Sequence, residues 1–563
     1  MKFLLYSACA IVLFIACYED KGNYNYVEDV NTFDVDINKV YGILKRDTTY
    51  VIRPVVRQSD RANNANLRYV WRMSTVSDVD LGGKITGDTL SLADTVGIVI
   101  DTRAADFKYT YWLRFYVEDM ESGAKSMYPV TVSVVKPYEG AWMVFHKDGE
   151  HTKLGAIEYV GNEMVITDDA FFKERGTRLQ GNPVKLGAVT EGISAAQAFW
   201  GFATSTIFYC FTDLPSESGV YRPENRFMLM DDRNIQHMIY PSDYSGYLPS
   251  NVTYLEGTGS PLIISNGKGF QGSVMGPRLY GMPLDPATVS GDYYISHLSS
   301  GGATNLAFDM IGRRFLQCYT GNNVWYPNAA FRWTFLDYYE TRGTMKYIAN
   351  SDANALPDAQ LRDIGEDKEM VYIGTGYYYG PNMTGGSMRT SIYALAKSKT
   401  KNESYIYDFH GYPLILGGSD ANDPAPLAGF YAITTPPGLT STSPCTSSVE
   451  YNRILFYAVG NRIYRLDFGV SGGRSLMIWQ HPDAGAEAKV MQMARKDWEA
   501  SGKYPDYGHN PNRSLGIVFD MPSGRDEVII LNLDATGRVD DNGKYPSVQV
   551  HQGFGKIKDV IFI

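Results

Sequence analysis

Apolar positions along this chain follow two spacings. A nearly continuous apolar run, Phe3 to Ala16, follows the single Lys2 and ends at Cys17-Tyr18-Glu19-Asp20. It falls short of the roughly 20 apolar residues that cross a bilayer, so it predicts an export signal over residues 1–16 and not a membrane span. Residues 17–32 are polar, rich in Tyr and Asn, and read as a stalk. From Phe33 the period becomes two: Leu67, Tyr69, Trp71 and Met73 alternate with Arg68, Val70 and Arg72, and Tyr109, Tyr111, Leu113, Phe115 and Val117 form a second apolar face. Several such runs, with a hairpin at Glu118 to Gly123 leading into Tyr128 to Val135, predict a β-sandwich over residues 33–136.

Lys136-Pro137-Tyr138-Glu139-Gly140 reads as a linker into a second region, 137–563, where strand pairs recur. They begin at Trp142, Ile207, Leu262, Leu306, Val371, Ile454 and Ile517, with tight-turn pairs such as Asn266-Gly267 and Gly460-Asn461 inside or between them. Their starts lie roughly 45 to 85 residues apart, which suggests a β-propeller of about seven blades. The last strand, Lys558 to Ile563, is placed to pair with the first blade. Two further sandwiches or a distorted barrel compete with that architecture. The best helical stretch is Ala486 to Ser501. The fold class expected is therefore all-β, an Ig-like sandwich followed by a seven-bladed propeller.

Composition narrows the function classes. At 563 residues the chain is longer than one core usually supports, and with 44% hydrophobic and 13% aromatic residues it can bury more than one. A net charge of −10 supplies no basic stripe for phosphates, which argues against a nucleic-acid partner. Beyond the leader, Cys210, Cys318 and Cys445 are scattered, with no C-x-x-C spacing, and read as buried thiols.

Candidate chemistry is sparse. Gly469-Val470-Ser471-Gly472-Gly473 matches the G-x-S-x-G pattern, but strand-like segments flank it on both sides where a nucleophile elbow needs a helix after it, so it reads as a glycine turn. The eight histidines lack paired-ligand spacing; His146 with Asp148, Glu150 and His151 is the densest group and reads as a solvated hairpin. Asp540-Asp541-Asn542-Gly543 offers oxygen ligands for calcium but suits an Asn-Gly turn better, so no cofactor is expected. Aromatic groups in turn-rich stretches can stack on sugar or peptide ligands: Trp325 and Tyr326 beside Gly321-Asn322-Asn323, and Tyr377, Tyr378 and Tyr379 between Gly376 and Gly380. Packing in a Tyr-rich chain explains the same residues.

Two resemblances add to this reading. Phe14-Ile15-Ala16-Cys17 resembles a bacterial lipobox, and the acidic pair after Cys17 looks like the export tag of Bacteroidetes surface lipoproteins. Tyr69-Val70-Trp71, then Tyr116-Val117-Glu118-Asp119 with Gly123 and Val130 to Val134, resembles the polycystic-kidney-disease (PKD) type of Ig-like domain; Arg72-Met73-Ser74 stands where that family has a Gly-Asp-Gly turn. Together they resemble the PKD-like surface lipoproteins of Bacteroidetes. The resemblance implies lipidation at Cys17, an outer-membrane location exposed at the cell surface, and a setting beside SusC/SusD-like importers with a glycan or peptide as ligand. A non-enzymatic capture or accessory role is the leading expectation, with a surface glycan hydrolase or a purely structural subunit as alternatives.

Overall fold

A computed structural model describes residues 31–38, 40–43, 49–59, 61–74, 87–99, 110–134, 138, 140–160, 163–191, 205–214, 219–222, 226–229, 252–258, 262–271, 291–301, 304–319, 344–348, 358–379, 389–410, 427–495 and 508–563. The chain divides into two compact units, Met1–Lys136 and Pro137–Ile563. Both are built of strands.

The first unit holds β1 (Phe33–Asp36), β2 (Val40–Ile43), β3 (Tyr50–Ile52), β4 (Val55–Gln58), β5 (Leu67–Ser74), β6 (Asp88–Ser91), β7 (Val96–Ile98), β8 (Thr110–Asp119) and β9 (Lys125–Val134). A five-stranded sheet runs β2-β9-β8-β5-β6, and β1-β4 and β3-β7 form two-stranded sheets. Alternation decides which side chains meet. Trp71 and Phe115 sit opposite one another in the β5–β8 ladder with ring centroids 4.4 Å apart. Leu113, Val117, Val130 and Val132 join them against Ile52, Val96 and Ile98 of the β3–β7 pair.

The β8–β9 hairpin is pinned by the buried Asp119. Its carboxylate accepts from Asn31 Nδ2 (3.0 Å), Asn66 Nδ2 (2.7 Å), Ser122 Oγ (2.6 Å) and the Glu121 amide (2.9 Å). These bonds, that from Ser122 foremost, hold its carboxyl well below the usual carboxylate range. Gly123 closes the turn at φ 72°, a conformation that favours glycine.

In the second unit β10 (Trp142–Asp148), β11 (His151–Val160) and β12 (Glu163–Thr167) form a four-stranded sheet completed by the chain's last strand, Lys556–Phe562. The short helix α1 (Ala170–Arg175) is N-capped by Asp169 and packs Phe171 against Phe145 and Leu154. Then follow β13 (Pro183–Glu191), β14 (Ser205–Thr212), β15 (Gly219–Arg222), β16 (Arg226–Leu229), β17 (Val252–Thr258), β18 (Leu262–Ser265) and β19 (Lys268–Gln271). They make one seven-stranded sheet, its two halves joined by the parallel pairing of β13 with β17.

Four more four-stranded sheets follow in chain order. The first holds β20 (Ile295–Gly301), β21 (Thr304–Asp309), β22 (Arg314–Tyr319) and β23 (Thr344–Tyr347). After helix α2 (Asp358–Arg362) come β24 (Lys368–Tyr379), β25 (Arg389–Ser398), β26 (Glu403–His410) and β27 (Leu427–Thr434). The next holds β28 (Cys445–Ser447), β29 (Ile454–Val459), β30 (Arg462–Asp467) and β31 (Arg474–Gln480), and the last β32 (Glu487–Met493), β33 (Ser514–Asp520), β34 (Glu527–Asn532) and β35 (Val548–His551). The final strand is β36 (Lys556–Phe562), antiparallel to β10 with Trp142 opposite Phe562.

Each sheet buries both faces, one against the sheet before it and one against the sheet after. Phe315 of β22 meets Tyr407 and Phe409 of β26 at 4.9 and 5.1 Å. Tyr393 of β25 meets Phe468 after β30 edge-on at 5.0 Å. Trp479 of β31 meets Phe519 of β33 at 5.8 Å, and Val518, Val528 and Ile530 pack on Trp142, Val144 and Val560. Strand neighbours run β13 with β17, β17 with β20, β20 with β24, β24 with β28, β28 with β32, β32 with β36, and β36 with β13. The arrangement is propeller-like.

β36 is held by buried polar groups as well as by its ladder. Asp526 accepts from the Ile557 amide (2.6 Å) and Lys556 Nζ (3.1 Å); Asp559 accepts from the Leu186 amide (3.0 Å) and Lys185 Nζ (2.7 Å). His146 Nδ1 accepts from the Gly555 amide at 3.1 Å, which leaves Nε2 to donate to the Asp168 carbonyl at 3.0 Å. Burial pushes its pKa down and keeps it neutral.

Two expectations are corrected here. Ala486–Ser501 is not a helix at its start: Glu487–Met493 is strand, because β33 offers a ladder partner and Ala488, Met491 and Met493 turn into the core; residues 496–501 lie outside the described residues. His146 is not solvated but fully buried, edge-on to Phe554 at 5.2 Å.

Candidate functional site

Among the described residues of the second unit, one polar site begins with Gly374-Thr375-Gly376 in β24. A Cβ on Gly374 would overlap the hydroxyl of Tyr372, and one on Gly376 would lie 2.4 Å from the ring of Tyr393. Glycine at both places lets the Tyr372 phenol lie along its own strand and Tyr393 press against the backbone. The β24–β25 register shifts between Thr375 and Tyr378, so the strand bulges beside Thr375.

Hydroxyls from neighbouring strands converge on that bulge. Ser447 Oγ of β28 donates to the Thr375 carbonyl at 2.6 Å. Its single proton is thereby used, so the Tyr372 hydroxyl, 2.8 Å away, is the donor to Ser447 Oγ. Thr375 Oγ1 lies 3.2 Å from Ser299 Oγ of β20 and accepts from Arg495 Nη1, beyond the end of β32, at 3.1 Å. Thr446 Oγ1 accepts from the Met493 amide at 3.3 Å, and Ser448 Oγ donates to the Asn512 carbonyl. Side chains from β20, β24 and β28, with Arg495 beyond β32, thus share one polar network.

The network borders a cavity of about 140 Å³. Thr446, Ser447, Ser448, Gln492, Asn512 and Arg495 are among its lining, and among the described residues Arg495 is the only formally charged one there. Cys445 also lines it; the residue is half-buried by area, and desolvation pushes its thiol up to about 12, so it contributes a neutral sulfur and not a thiolate. The lining is thus mostly neutral and hydrogen-bonding, with one guanidinium tied into the same network.

The residues singled out from sequence fall as follows. Cys17, Trp325 and Tyr326 lie outside the described residues. Tyr377 is half-buried, packs against the cluster around Tyr393 and Leu455, and donates its amide to the Tyr393 hydroxyl at 3.3 Å; Tyr378 and Tyr379 continue β24 opposite Thr390 and Arg389. The cavity residues were missed because single hydroxyls on separate strands carry no local signal; the one hint was Gly-Thr-Gly between Tyr372 and Tyr377. Gly469 to Gly473 forms the turn between β30 and β31, with Gly472 and Gly473 at φ 74° and 71°. At Asp540 to Gly543 the Asp540 side chain accepts from the Asn542 amide within an exposed turn. No cluster of three metal-ligating side chains occurs among the described residues.

A family model described as the PKD-like family matches residues 17–183. The N-terminal unit carries a PKD-like domain. The match runs past that unit to include β10, β11, β12 and α1. No curated protein matches the chain. Among solved structures, a quinonprotein alcohol dehydrogenase-like protein from Bacteroides thetaiotaomicron VPI-5482 is 10% identical, covers 94% of this chain and 99% of its own, and has a TM-score of 0.37. Apo AztD from Citrobacter koseri is 8% identical, with 88% and 98% covered and a TM-score of 0.34. PorZ, a surface component of the type-IX secretion system of Porphyromonas gingivalis, is 10% identical, with 69% and 65% covered and a TM-score of 0.21. Likenesses this distant carry no argument about the activity of this chain.

Proposed function

We propose that this chain is a non-enzymatic lipoprotein of the outer-membrane surface that captures a small polar solute in a closed, seven-bladed propeller and serves a SusC/SusD-like importer. The observation that carries the binding role is the convergence of Thr375, Ser447 and Arg495 on one cavity, with Ser299 joined to Thr375. A core needs no such network, since each buried polar group must be satisfied simply to break even. The ring is supported by five four-stranded sheets plus a seven-stranded one that divides into two at β13 and β17, and by β36 pairing with β10. The anchor rests on the Phe14-to-Cys17 motif, where lipidation with more than one acyl chain gives stable attachment. In this reading the PKD-like domain is the spacer.

The binding role is tested by thermal-shift measurements on the full chain with D-glucose, glycerol, L-alanine, a dipeptide and D-glycerate, each repeated on Ser447→Leu, which fills the cavity. At least one solute should raise the melting temperature of the wild type and lose its effect in the variant. If none does, or the variant responds like the wild type, the binding role is wrong. Detergent extraction with mass spectrometry tests the partner: a co-purifying SusC/SusD-like pair is expected, and recovery of the lipoprotein alone removes the importer from the proposal.

A further inference from the structure

We infer that the solute is uncharged and carries neighbouring hydroxyls, a small polyol or the diol edge of a sugar, held by the Gln492 carboxamide and the Thr446 hydroxyl. This rests on the cavity being a binding site. Three observations select the class.

The first is hydrogen-bonding capacity that the protein leaves unused. Gln492 of β32 lines the cavity, and its side-chain amide, with two donors and an acceptor, has no hydrogen-bond partner among the described residues. On the neighbouring strand β28, Thr446 Oγ1 accepts from the Met493 amide at 3.3 Å, and its own proton has no acceptor among the described residues. Ser447 and Ser448 already donate, to the Thr375 and Asn512 carbonyls, so towards a ligand they can only accept. The lining thus asks for donors and acceptors at several separate points. A carboxamide gathers its polar atoms at one end, whereas a run of hydroxyls spreads both kinds along its length.

The second is charge. No Asp or Glu lines the cavity among the described residues, and Arg495 is engaged with the protein itself, its bond to Thr375 included. Cys445 adds a neutral thiol. An ionised group entering here would give up its water with no opposite charge released to meet it. That disfavours acids, amines and amino acids.

The third is size and the rest of the wall. At about 140 Å³ the cavity is close to the roughly 150 Å³ engineered cavity that admits benzene, so the bound part has only about six to ten heavy atoms. Ile373, Val449, Met493 and Ala494 also line it, which gives the C–H groups between hydroxyls apolar surface to meet. A free polyol and the terminal unit of a longer glycan share this chemistry.

The test is ligand-observed NMR titration of the full chain with erythritol, D-glycerate, acetamide and L-alanine. Selectivity is read on the wild type, so the comparison needs no variant that might misfold. Erythritol should bind at least about tenfold more tightly than the other three. Gln492→Met keeps the length of the side chain and removes the amide. It should weaken erythritol about tenfold at an unchanged melting temperature, since no described residue bonds to that amide. Glycerate, acetamide or alanine binding as well as erythritol, in a manner abolished by Ser447→Leu, overturns the inference while leaving the cavity a binding site. A Gln492→Met protein that holds erythritol like the wild type does the same. If no probe binds, water alone fills the cavity and the binding role falls with the inference. Maltotriose that binds in competition with erythritol identifies a glycan end as the source; erythritol binding alone identifies the free polyol.

Discussion

The two units bury polar groups for different ends. In the PKD-like domain Asp119 gathers Asn31, Asn66, Ser122 and the Glu121 amide at one hairpin, where a carboxylate with every lone pair engaged fixes the turn that sets the β8–β9 register. In the second unit Asp526, Asp559 and His146 do similar work around β36, but Thr375, Ser447 and Arg495 do not brace a turn. They line a cavity. A polar network that closes a turn is explained by the fold, and the one that opens onto a cavity is what the proposed binding role rests on.

The largest expected effect lies at β36. Deleting Lys556–Ile563 strips Ile557, Val560 and Phe562 from the core between the first and last sheets and exposes the edge of β10. Each such side chain contributes about 1.5–3 kcal/mol of burial, so the loss is on the order of 5 kcal/mol or more. Calorimetry should show the second unit's transition lost or steeply lowered and that of the PKD-like domain kept. If both vanish, the two units are not independent in stability.

Trp71→Ala is the converse. The ring is fully buried against Phe115, and its removal should cost about 3–5 kcal/mol, lowering the transition of the PKD-like domain alone. A matching fall in the second unit would break the comparison.

A smaller effect is expected at Asp408 in β26. Its Oδ1 has no hydrogen-bond partner, and burial pushes the carboxyl up to about 6 against a bond from Ser391. A folded-state pKa above the unfolded value means that the native form binds more protons between about pH 4 and 6, so stability falls as pH rises through that window. Asp408→Asn carries no charge to bury. It should gain up to about 3 kcal/mol at pH 8 and nothing below pH 4, read as melting temperature against pH. A gain that does not depend on pH would show that the buried charge is not its cause.

Much of the fold was legible, because period-two alternation and core burial are the same fact: Leu113, Phe115 and Val117 read as one face and are buried together. Strand Ile454–Val459 with its partner Arg462–Asp467 was equally plain, since a Gly-Asn turn separates two apolar runs. Ala486–Ser501 misled because Ala, Glu and Lys favour helix locally, whereas the ladder with β33 and burial of Met491 and Met493 outweigh propensity. The cavity was illegible for a different reason. Ser299, Thr375 and Ser447 lie more than seventy residues apart in succession, and nothing in a lone serine or threonine marks it as part of a shared network. Only the strand order brings them together.

The central claim, that the hydroxyl network exists for binding and not for stability, is tested most directly at Thr375. Thr375→Val keeps the shape and removes the hydroxyl that joins Ser299 to Arg495. Melting and solute titration of the variant beside the wild type should show a stability loss of only about 1–2 kcal/mol but a loss of most solute affinity. A variant that binds like the wild type, or one whose second unit no longer folds, would show that the network is part of the scaffold and contradict the account.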